Sequence, residues 1–477
     1  MSLFVYNTLN QKKEEFKPRS PGKVKMYVCG TTPYDHCHLG HARCYVVFDV
    51  IRKYLEYKGY EVIYVQNFTD VDDKIINRAK QLGSKAEEVA EKYIKEYFAV
   101  MGKLNIKKAN FYPKTTEHIK EMIKLIEKLI KRGYAYVIDG DVYFEIAKFA
   151  GYGKLSHRSQ EEMRAGARIE VDKRKKNPLD FALWKSAKPG EPYWESPWGK
   201  GRPGWHIECS AMSMEQLGVP FDIHGGGQDL IFPHHENEIA QSEAATGKPF
   251  ADYWLHNGFV TVNHEKMSKS LGNFFTLKEI YEKYSPDVVR FFLISQYYRS
   301  HIDFSDDKLE EARKSLEKFH NTLDNIKFLL KGLKAGKKAS IPRKEDSNIL
   351  DAKEKFTTAM DDDFNTARAL GYIFDLISKA NKKVSEKSPD LPFLLGADRA
   401  LRSMGSLLGF LKEKAIEKTG IDEFQIEKLI DQRDTAREKK DWKKADKIRS
   451  DLEKIGIILE DTPAGTRWKY KKATKRS

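Results

Sequence analysis

Cysteine is scarce in this chain of 477 residues, which contains only Cys29, Cys37, Cys44 and Cys209. These four residues form no CxxC pair and no disulfide framework, so a reducing compartment is expected. No stretch approaches the roughly 18 consecutive apolar residues of a membrane-spanning helix, and the first residues lack the apolar segment of a signal peptide. The sequence therefore argues against a secreted disulfide scaffold and an integral membrane protein, and a cytoplasmic protein is expected.

Acidic residues are fewer than basic ones, because 84 Lys and Arg residues outnumber 70 Asp and Glu residues and leave a formal net charge of +14. An excess of this sign suits a polyanionic partner such as nucleic acid, and a lysine-rich solvated surface accounts for it equally well. Hydrophobic residues make up 40% of the chain, which is enough to build a large core divided among about three or four domains.

The stretch from Val24 to Gln66 predicts a strand, a helix and a second strand. Residues 24–30 read as a buried strand that ends near Cys29, and residues 42–58 carry apolar residues at three- and four-residue spacing before Gly59. Residues 61–66 read as the second strand. Such a βαβ unit belongs to a parallel sheet and places ligands at the carboxyl ends of its strands.

Two separated motifs point to phosphate chemistry. His38-Leu39-Gly40-His41 stands at the start of the predicted helix, where backbone N–H groups and the helix dipole favour an anion. More than two hundred residues later, Lys266-Met267-Ser268-Lys269-Ser270 offers two ammonium groups and hydroxyls that suit a triphosphate. When they stand on either side of a split βαβ fold, these two motifs resemble the signature motifs of class I aminoacyl-tRNA synthetases. In the histidine motif, Leu39 replaces the isoleucine that is typical of that family.

Four residues that are far apart in the sequence could together bind a metal ion. His234 and Glu238 are four positions apart and would share a helix face, while Cys29 stands at the end of the first predicted strand. Together with Cys209 they offer two thiolates, an imidazole and a carboxylate, all of which are zinc ligands. Spacing alone leaves open the alternative that the two cysteines are buried structural residues.

Several longer blocks resemble the cysteinyl-tRNA synthetase family, and they occur in the order of that family. They lie at residues 67–73, 201–212, 224–238, 361–366 and 441–442. The resemblance implies an α/β class I fold: a split Rossmann-like parallel-sheet catalytic domain with an inserted domain, a helical bundle and a small α+β C-terminal domain. The boundaries expected are 1–112 and 201–250 for the two catalytic halves, 113–200 for the insertion, 251–312 for the KMSKS-bearing region, 313–412 for the bundle and 420–477 for a basic anticodon-binding domain.

The same resemblance assigns roles to single residues. It implies that one zinc ion binds Cys29, Cys209, His234 and Glu238, and that the thiol of the substrate completes the coordination. It implies that His38, His41, Lys266 and Lys269 catalyse adenylate formation and, with Gly40, bind ATP and its Mg²⁺. Contacts with the amino acid or the adenylate are expected from Thr69, Trp205, His224 and Asp229. A helix cap, a core aromatic residue, a packed histidine and a turn residue, in that order, account for the four equally well.

The activity implied is ATP-dependent ligation of L-cysteine to tRNA(Cys) by a monomer. Five basic residues near the C-terminus stand beside Trp468 and Tyr470 and suit unpaired RNA bases, although a basic terminus in solvent explains them equally well. Two alternatives remain open. One is a tRNA-independent cysteine ligase that acts on an amino-sugar, which the long helical region and the basic terminus disfavour. The other is a non-catalytic RNA-binding protein, which the intact His38, His41, Lys266 and Lys269 disfavour.

Overall fold

The structure is a computed structural model that describes residues 2–159, 162, 174–262, 265–266, 275–332, 346–411, 423–454, 457–462 and 465–470. These residues fall into two compact units. The first comprises the described parts of Met1–Glu317, Asp351–Phe374 and Ser403–Leu411, and the second comprises those of Lys318–Leu350, Asp375–Arg402 and Lys412–Ser477. Within the described ranges, every helix is too short or too polar to cross a lipid bilayer.

The first unit opens with a hairpin that precedes the predicted βαβ unit. Its elements are β1 (Phe4–Asn7), β2 (Lys12–Glu15), β3 (Lys23–Thr31), α1 (Leu39–Tyr57), β4 (Glu61–Phe68), α2 (Asp73–Leu82) and α3 (Ala86–Lys103). Helix α1 buries Val46, Val50 and Tyr54 on one face, as the apolar spacing predicts. The strand predicted at residues 24–30 extends one residue further, because Thr31 still pairs with Phe68 after a register shift.

A helix and an antiparallel sheet follow, in the order α4 (Ile119–Lys131), β5 (Ala135–Ile138), β6 (Asp141–Phe144), β7 (Phe181–Ser186) and β8 (Gly201–Pro203). Strands β5 and β6 form the hairpin that Asp139-Gly140 predicts, and both turn residues have positive φ, +50° and +83°. Helix α4 packs Met122 and Ile126 into the same core as Phe144 and Trp184 of the sheet. The same core contains Ile207 and Ala244 from the helices that follow, so the insertion interrupts the parallel sheet in sequence but packs against the part of the chain that returns to it.

The chain then returns to the parallel sheet. The elements are α5 (Trp205–Leu217), β9 (Phe221–Gly227), α6 (Glu236–Thr246), β10 (Ala251–Asn257), β11 (Val260–Val262), β12 (Glu265–Lys266), α7 (Leu277–Lys283), α8 (Pro286–Ile294) and β13 (Ile302–Phe304). The main sheet has the order β10-β9-β3-β4, and all its pairings are parallel. Strands from before and after the insertion thus lie side by side, which confirms the predicted split parallel sheet. Its topological switch point falls between β3 and β9, where such sheets bind ligands.

The described residues 306–332 and 346–408 form four long helices: α9 (Asp306–Gly332), α10 (Ser347–Asp361), α11 (Thr366–Val384) and α12 (Leu391–Leu408). The C-terminal part contains α13 (Glu423–Glu438), α14 (Trp442–Lys454), β14 (Ile457–Thr462) and β15 (Gly465–Tyr470), the last two forming an antiparallel pair. Asp441 caps α14 by accepting a hydrogen bond from the backbone N–H of Lys444 at 3.1 Å. A core that includes Ile426, Leu452 and Ile457 joins these elements, in agreement with the predicted small α+β domain.

Candidate active site and metal centre

The four predicted metal ligands converge at the switch point of the sheet. Cys29 comes from β3, Cys209 from α5, Glu238 from α6, and His234 from the π-helical turn Ile231–His235 that leads into α6. One ligand atom from each lies within 4.8 Å of the others, and all four residues are buried. The Cys29 Sγ atom is 3.8 Å from Cys209 Sγ and 3.5 Å from Glu238 Oε1, and His234 Nε2 is 3.1 Å from the same oxygen.

Two thiols, an imidazole and a carboxylate are a donor set that zinc binds in proteins. Burial makes the fit stronger, because so many polar groups in an apolar core need a charged or hydrogen-bonded partner. Burial raises the pKa of Cys29, whereas the hydrogen bond from Cys29 lowers the pKa of Cys209 to about 6. The protein alone therefore favours one thiolate, and a divalent cation would deprotonate both sulfurs.

A second set of donors overlaps the first: Cys29 and Glu238 also lie within 4.8 Å of ring nitrogens of His224 and His235. The first set has two sulfur donors, and its His234 stacks on Trp205 with ring centroids 4.3 Å apart. Since Trp205 is 40% exposed, that set borders a surface that a substrate can reach. The first set is thus the better candidate for a metal centre, and His224 and His235 lie next to it, where outer residues of metal sites are found.

His224 contacts one of the predicted metal ligands. His224 Nε2 lies 2.9 Å from Glu238 Oε2, so that the other carboxylate oxygen faces His234 and Cys29. Burial alone raises the pKa of Glu238, but His224 and His234 outweigh it and lower that pKa to about 2. Glu238 is therefore a carboxylate at neutral pH. His224 has a partner inside the centre, and its predicted contact with the amino acid stays a prediction.

His235 and His256 are two residues of this site that the sequence reasoning missed. His235 Nε2 lies 3.3 Å from Cys29 Sγ, and its Nδ1 lies 2.8 Å from His256 Nε2. Burial lowers the pKa of His235 well below its usual range and that of His256 to about 3, so both rings are neutral at pH 7. The signal available was the doublet His234-His235 and a histidine at the end of a strand, but neither shows which ring faces the metal.

The signature histidines lie at the start of α1. His38 is the N-cap residue, and its Nδ1 accepts a hydrogen bond from the backbone N–H of His41 at 3.3 Å. His41 Nδ1 accepts from the backbone N–H of His38 at 3.4 Å, and the two rings stack at 3.6 Å. This reciprocal capping fixes both imidazoles beside the helix N-terminus, next to Gly40, where the dipole favours phosphate.

The chain approaches these histidines again after the second signature motif. Lys266 lies in β12, which pairs with β11, and its side chain and Lys269 lie outside the described residues. The backbone N–H of Leu39 donates to the carbonyl of Phe275 at 3.4 Å, and the N–H of Leu277 donates to the carbonyl of Cys37 at 2.9 Å. The segment that follows the lysine motif is therefore bonded directly to the loop that bears His38.

Three predicted amino-acid contacts have different settings. Thr69 is buried at the end of β4, where its Oγ1 accepts a hydrogen bond from Asn67 Nδ2 at 3.4 Å. Trp205 stacks on His234, as described above. Asp229 is exposed in the short turn Gln228–Leu230 that follows β9. Trp205 is thus the one of the three in direct contact with a proposed metal ligand.

Solved structures with a similar fold cover most of the chain. A methionyl-tRNA synthetase of Mycobacterium tuberculosis in complex with methionyl-adenylate matches with a TM-score of 0.65 and 17% identity, over 84% of this chain and 95% of that one. A leucyl enzyme of Agrobacterium radiobacter, in a ternary complex with tRNA, matches with a TM-score of 0.57 and 13% identity, over 83% of this chain and 86% of that one. The split parallel sheet and the histidine pair at α1 define the fold of a class I aminoacyl-tRNA synthetase.

Sequence comparisons narrow the class. Residues 15–314 match the family described as the tRNA synthetases class I (C) catalytic domain, residues 355–412 match the DALR domain, and residues 424–468 match the cysteinyl-tRNA ligase anticodon binding domain. A cysteine–tRNA ligase of Geobacter metallireducens is 55% identical to this chain, and the match covers 99% of this chain and all of that protein. A cysteine–tRNA ligase of Pelotomaculum thermopropionicum is 53% identical, and the match covers 98% of this chain and 99% of that protein. The chain belongs to the cysteine–tRNA ligase family.

Proposed function

We propose that this chain attaches L-cysteine to tRNA(Cys) in an ATP-dependent reaction through a cysteinyl-adenylate, and that a zinc ion selects the amino acid by its thiol. The observation that supports selection by zinc is the convergence of four possible ligands beside the half-exposed Trp205; they are Cys29, Cys209, His234 and Glu238. Zinc at this centre would hold the substrate as a thiolate and so distinguish it from an alcohol.

Cysteine and serine differ only in that serine has an oxygen atom where cysteine has sulfur, and a pocket that relies on shape distinguishes such substrates poorly. The protein contributes a donor set with two sulfurs, which suits a metal that binds thiolates well. Trp205 stacks on one ligand and stands where the amino acid would enter, so it is proposed to cover the side chain of the substrate. This arrangement makes a separate editing domain unnecessary.

In the first step, the carboxylate of cysteine attacks the α-phosphate of ATP and pyrophosphate leaves. In the second step, a ribose hydroxyl of the tRNA terminus attacks the activated carbonyl and gives up its proton, and AMP leaves. The protein needs little covalent chemistry, since such transfers depend on positioning and charge stabilisation. We assign His38 and His41 to the reacting phosphate and Gly40 to close approach of the nucleotide. Lys266 and Lys269 are assigned to the phosphates, together with Mg²⁺.

The match of residues 424–468 to an anticodon-binding domain supports tRNA as the acceptor and disfavours the amino-sugar ligase. Trp468 is partly buried against the core of this domain, and the basic residues 471–477 lie outside the described residues. A monomer remains the expected state.

The test compares two buried cysteines, of which only one belongs to the metal centre. Cys209→Ser should lose zinc and cysteine selectivity, whereas Cys37→Ser should keep both, because Cys37 is outside the donor set. The measurements are zinc content, cysteine- and serine-dependent pyrophosphate exchange, and charging of tRNA(Cys). The zinc-loaded wild type should prefer cysteine by on the order of 10⁴-fold or more. Comparable activation of serine, or a zinc-free active enzyme, would refute the proposed selectivity.

A further inference from the structure

We propose that Thr8, His256 and His235 form a hydrogen-bond relay that orients Cys29 and tunes its thiolate as a metal ligand. This makes the three residues positioning residues for cysteine selection. The inference rests on the proposed metal centre and goes beyond it, because Thr8 lies in an N-terminal segment that contributes none of the four ligands.

The relay is continuous in the structure. Thr8 Oγ1 lies 2.8 Å from His256 Nδ1, His256 Nε2 lies 2.8 Å from His235 Nδ1, and His235 Nε2 lies 3.3 Å from Cys29 Sγ. His235 and His256 are almost completely buried, as is Cys29. Each ring nitrogen of both histidines therefore has a named partner within hydrogen-bond reach.

The chemistry at the two ends sets the direction of the relay. A metal-ligating thiolate at Cys29 accepts a hydrogen bond and has no proton to donate, so His235 must carry its proton on Nε2. A neutral His235 then accepts at Nδ1, which requires a proton on Nε2 of His256. His256 accepts in turn at Nδ1, and the hydroxyl of Thr8 is the donor that completes the chain. A threonine hydroxyl thus selects one tautomer for both imidazoles.

The segment that carries Thr8 is held firmly. The N–H of Thr8 donates to the carbonyl of Trp254 at 2.9 Å, and the N–H of Trp254 donates to Asn7 Oδ1 at 3.0 Å, so Thr8 is fixed on β10, the strand that bears His256. Strand β1 is held in turn by Asp363, whose Oδ1 accepts from the N–H of Tyr6 at 2.8 Å. This gives the motif at residues 361–366, which the sequence reasoning left without a role, a place in support of the relay.

A hydrogen bond donated to a thiolate withdraws charge from the sulfur and fixes its orientation, which changes the affinity and electronic properties of the metal. Loss of the Thr8 hydroxyl would leave His256 Nδ1 as a buried acceptor without its donor. The tautomers of both rings would then no longer be imposed, and the donor to Cys29 would be lost for part of the time.

The test uses Thr8→Val, which removes the hydroxyl at nearly constant shape, and Thr8→Ser, which retains it. Zinc affinity is measured by competition with a chromogenic chelator, and the sulfur-to-metal charge-transfer band is measured after substitution with Co²⁺. Outer residues of metal sites typically contribute about 10- to 100-fold in affinity, and Thr8 is two rings away, so roughly a three- to tenfold loss is expected for Thr8→Val. We also expect a shifted band for this variant.

Two further variants serve as controls. His157→Ala removes a contact of His157 with the backbone carbonyl of Thr8 and leaves the hydroxyl in place, so it should match the wild type. His256→Phe keeps an aromatic ring but removes both nitrogens, and a larger loss than for Thr8→Val is expected. Thermal unfolding of each variant checks that the chain still folds.

Thr8→Ser should behave like the wild type. The relay is overturned if Thr8→Val and Thr8→Ser give the same zinc affinity and the same Co²⁺ spectrum while the wild type binds zinc normally. A wild type that binds no zinc at the four proposed ligands would instead overturn the proposed metal centre, and the relay with it. The two failures are therefore distinguishable.

Discussion

Replacing Gly30 with alanine should weaken metal binding strongly without unfolding the chain. Gly30 follows Cys29 in β3, and a Cβ atom placed on it would lie 1.6 Å from the backbone oxygen of Asn67 in β4. Real Cβ atoms essentially never approach another heavy atom to less than 3.0 Å, and the obstacle here is backbone. The backbone around Gly30 or Asn67 must therefore shift by about 1.4 Å, the difference between 3.0 and 1.6 Å.

Metal ligands tolerate displacements of only about 0.2 Å, so a strand shift of this size next to Cys29 should reduce zinc affinity by more than about 100-fold. The cost to folding should be smaller, roughly 1–3 kcal/mol, because cores accommodate one added methyl group by shifting locally. Gly30→Ala should consequently melt cooperatively and yet purify without zinc.

Gly102→Ala is the matched control. Gly102 lies exposed in α3, and an added Cβ meets no atom within 4 Å, so alanine should raise helix stability by up to about 1 kcal/mol and leave zinc binding unchanged. The assay is zinc content after equilibrium dialysis, together with thermal unfolding of both variants. If Gly30→Ala retained one zinc per chain with wild-type affinity, the close approach of the two strands would have no bearing on the metal centre.

Three further predictions concern other parts of the first unit. Asp49 is buried between Arg290 Nη2 at 2.5 Å and Lys53 Nζ at 2.8 Å, and Asp49→Asn should lower the free energy of unfolding in urea by roughly 3–5 kcal/mol. Burial alone raises the pKa of Asp49, but the two cations outweigh burial and lower that pKa. The stabilisation is therefore complete above about pH 4 and is lost as the pH falls through the lowered pKa. If the free energy of unfolding had the same dependence on acidic pH in the variant and the wild type, this reasoning would be contradicted. Trp205→Ala should raise KM for cysteine roughly three- to tenfold and Trp205→Phe much less, as expected for loss of an aromatic stack, and equal effects would argue against stacking. Lys269→Ala should slow cysteine-dependent pyrophosphate exchange by about 10²-fold or more, while KM for cysteine stays within about twofold of the wild-type value. If the exchange rate and the affinity for cysteine fell by the same factor, a role confined to the phosphates would be excluded.

Local sequence signals predicted the elements that hold the site. The apolar spacing after His41 predicts α1, and the Asp139-Gly140 turn predicts the hairpin of the insertion; both are confirmed. These signals succeed because helix, turn and cap preferences depend on neighbouring residues alone. The end of β3 was predicted less well, since Thr31 stays in the strand only through its pairing with Phe68.

For the candidate site as well, the sequence predicted some features, and others became clear only from the tertiary structure. His234 and Glu238 are four residues apart and His235 and Glu238 are three apart, so either histidine could share a helix face with Glu238. Cys29 is indicated by its place at the end of the first predicted strand, and the family block at residues 201–212 supplies Cys209. Nothing in the sequence tells which of the adjacent His234 and His235 faces the metal. That distinction depends on the turn that precedes α6, where His234 meets Trp205 and His235 meets His256.

The amino-acid sequence by itself thus determined the elements, the two phosphate motifs and the kinds of donor available. The tertiary structure decided which donors meet, because the parallel sheet places β3 beside β9 and brings Cys29 to Glu238 across 209 positions of the chain. It also decided that Thr8 lies at the far end of the histidine pair, since β10 runs next to β1. Periodicity reaches only a few residues along the chain, whereas the order of strands in a sheet joins residues at any separation.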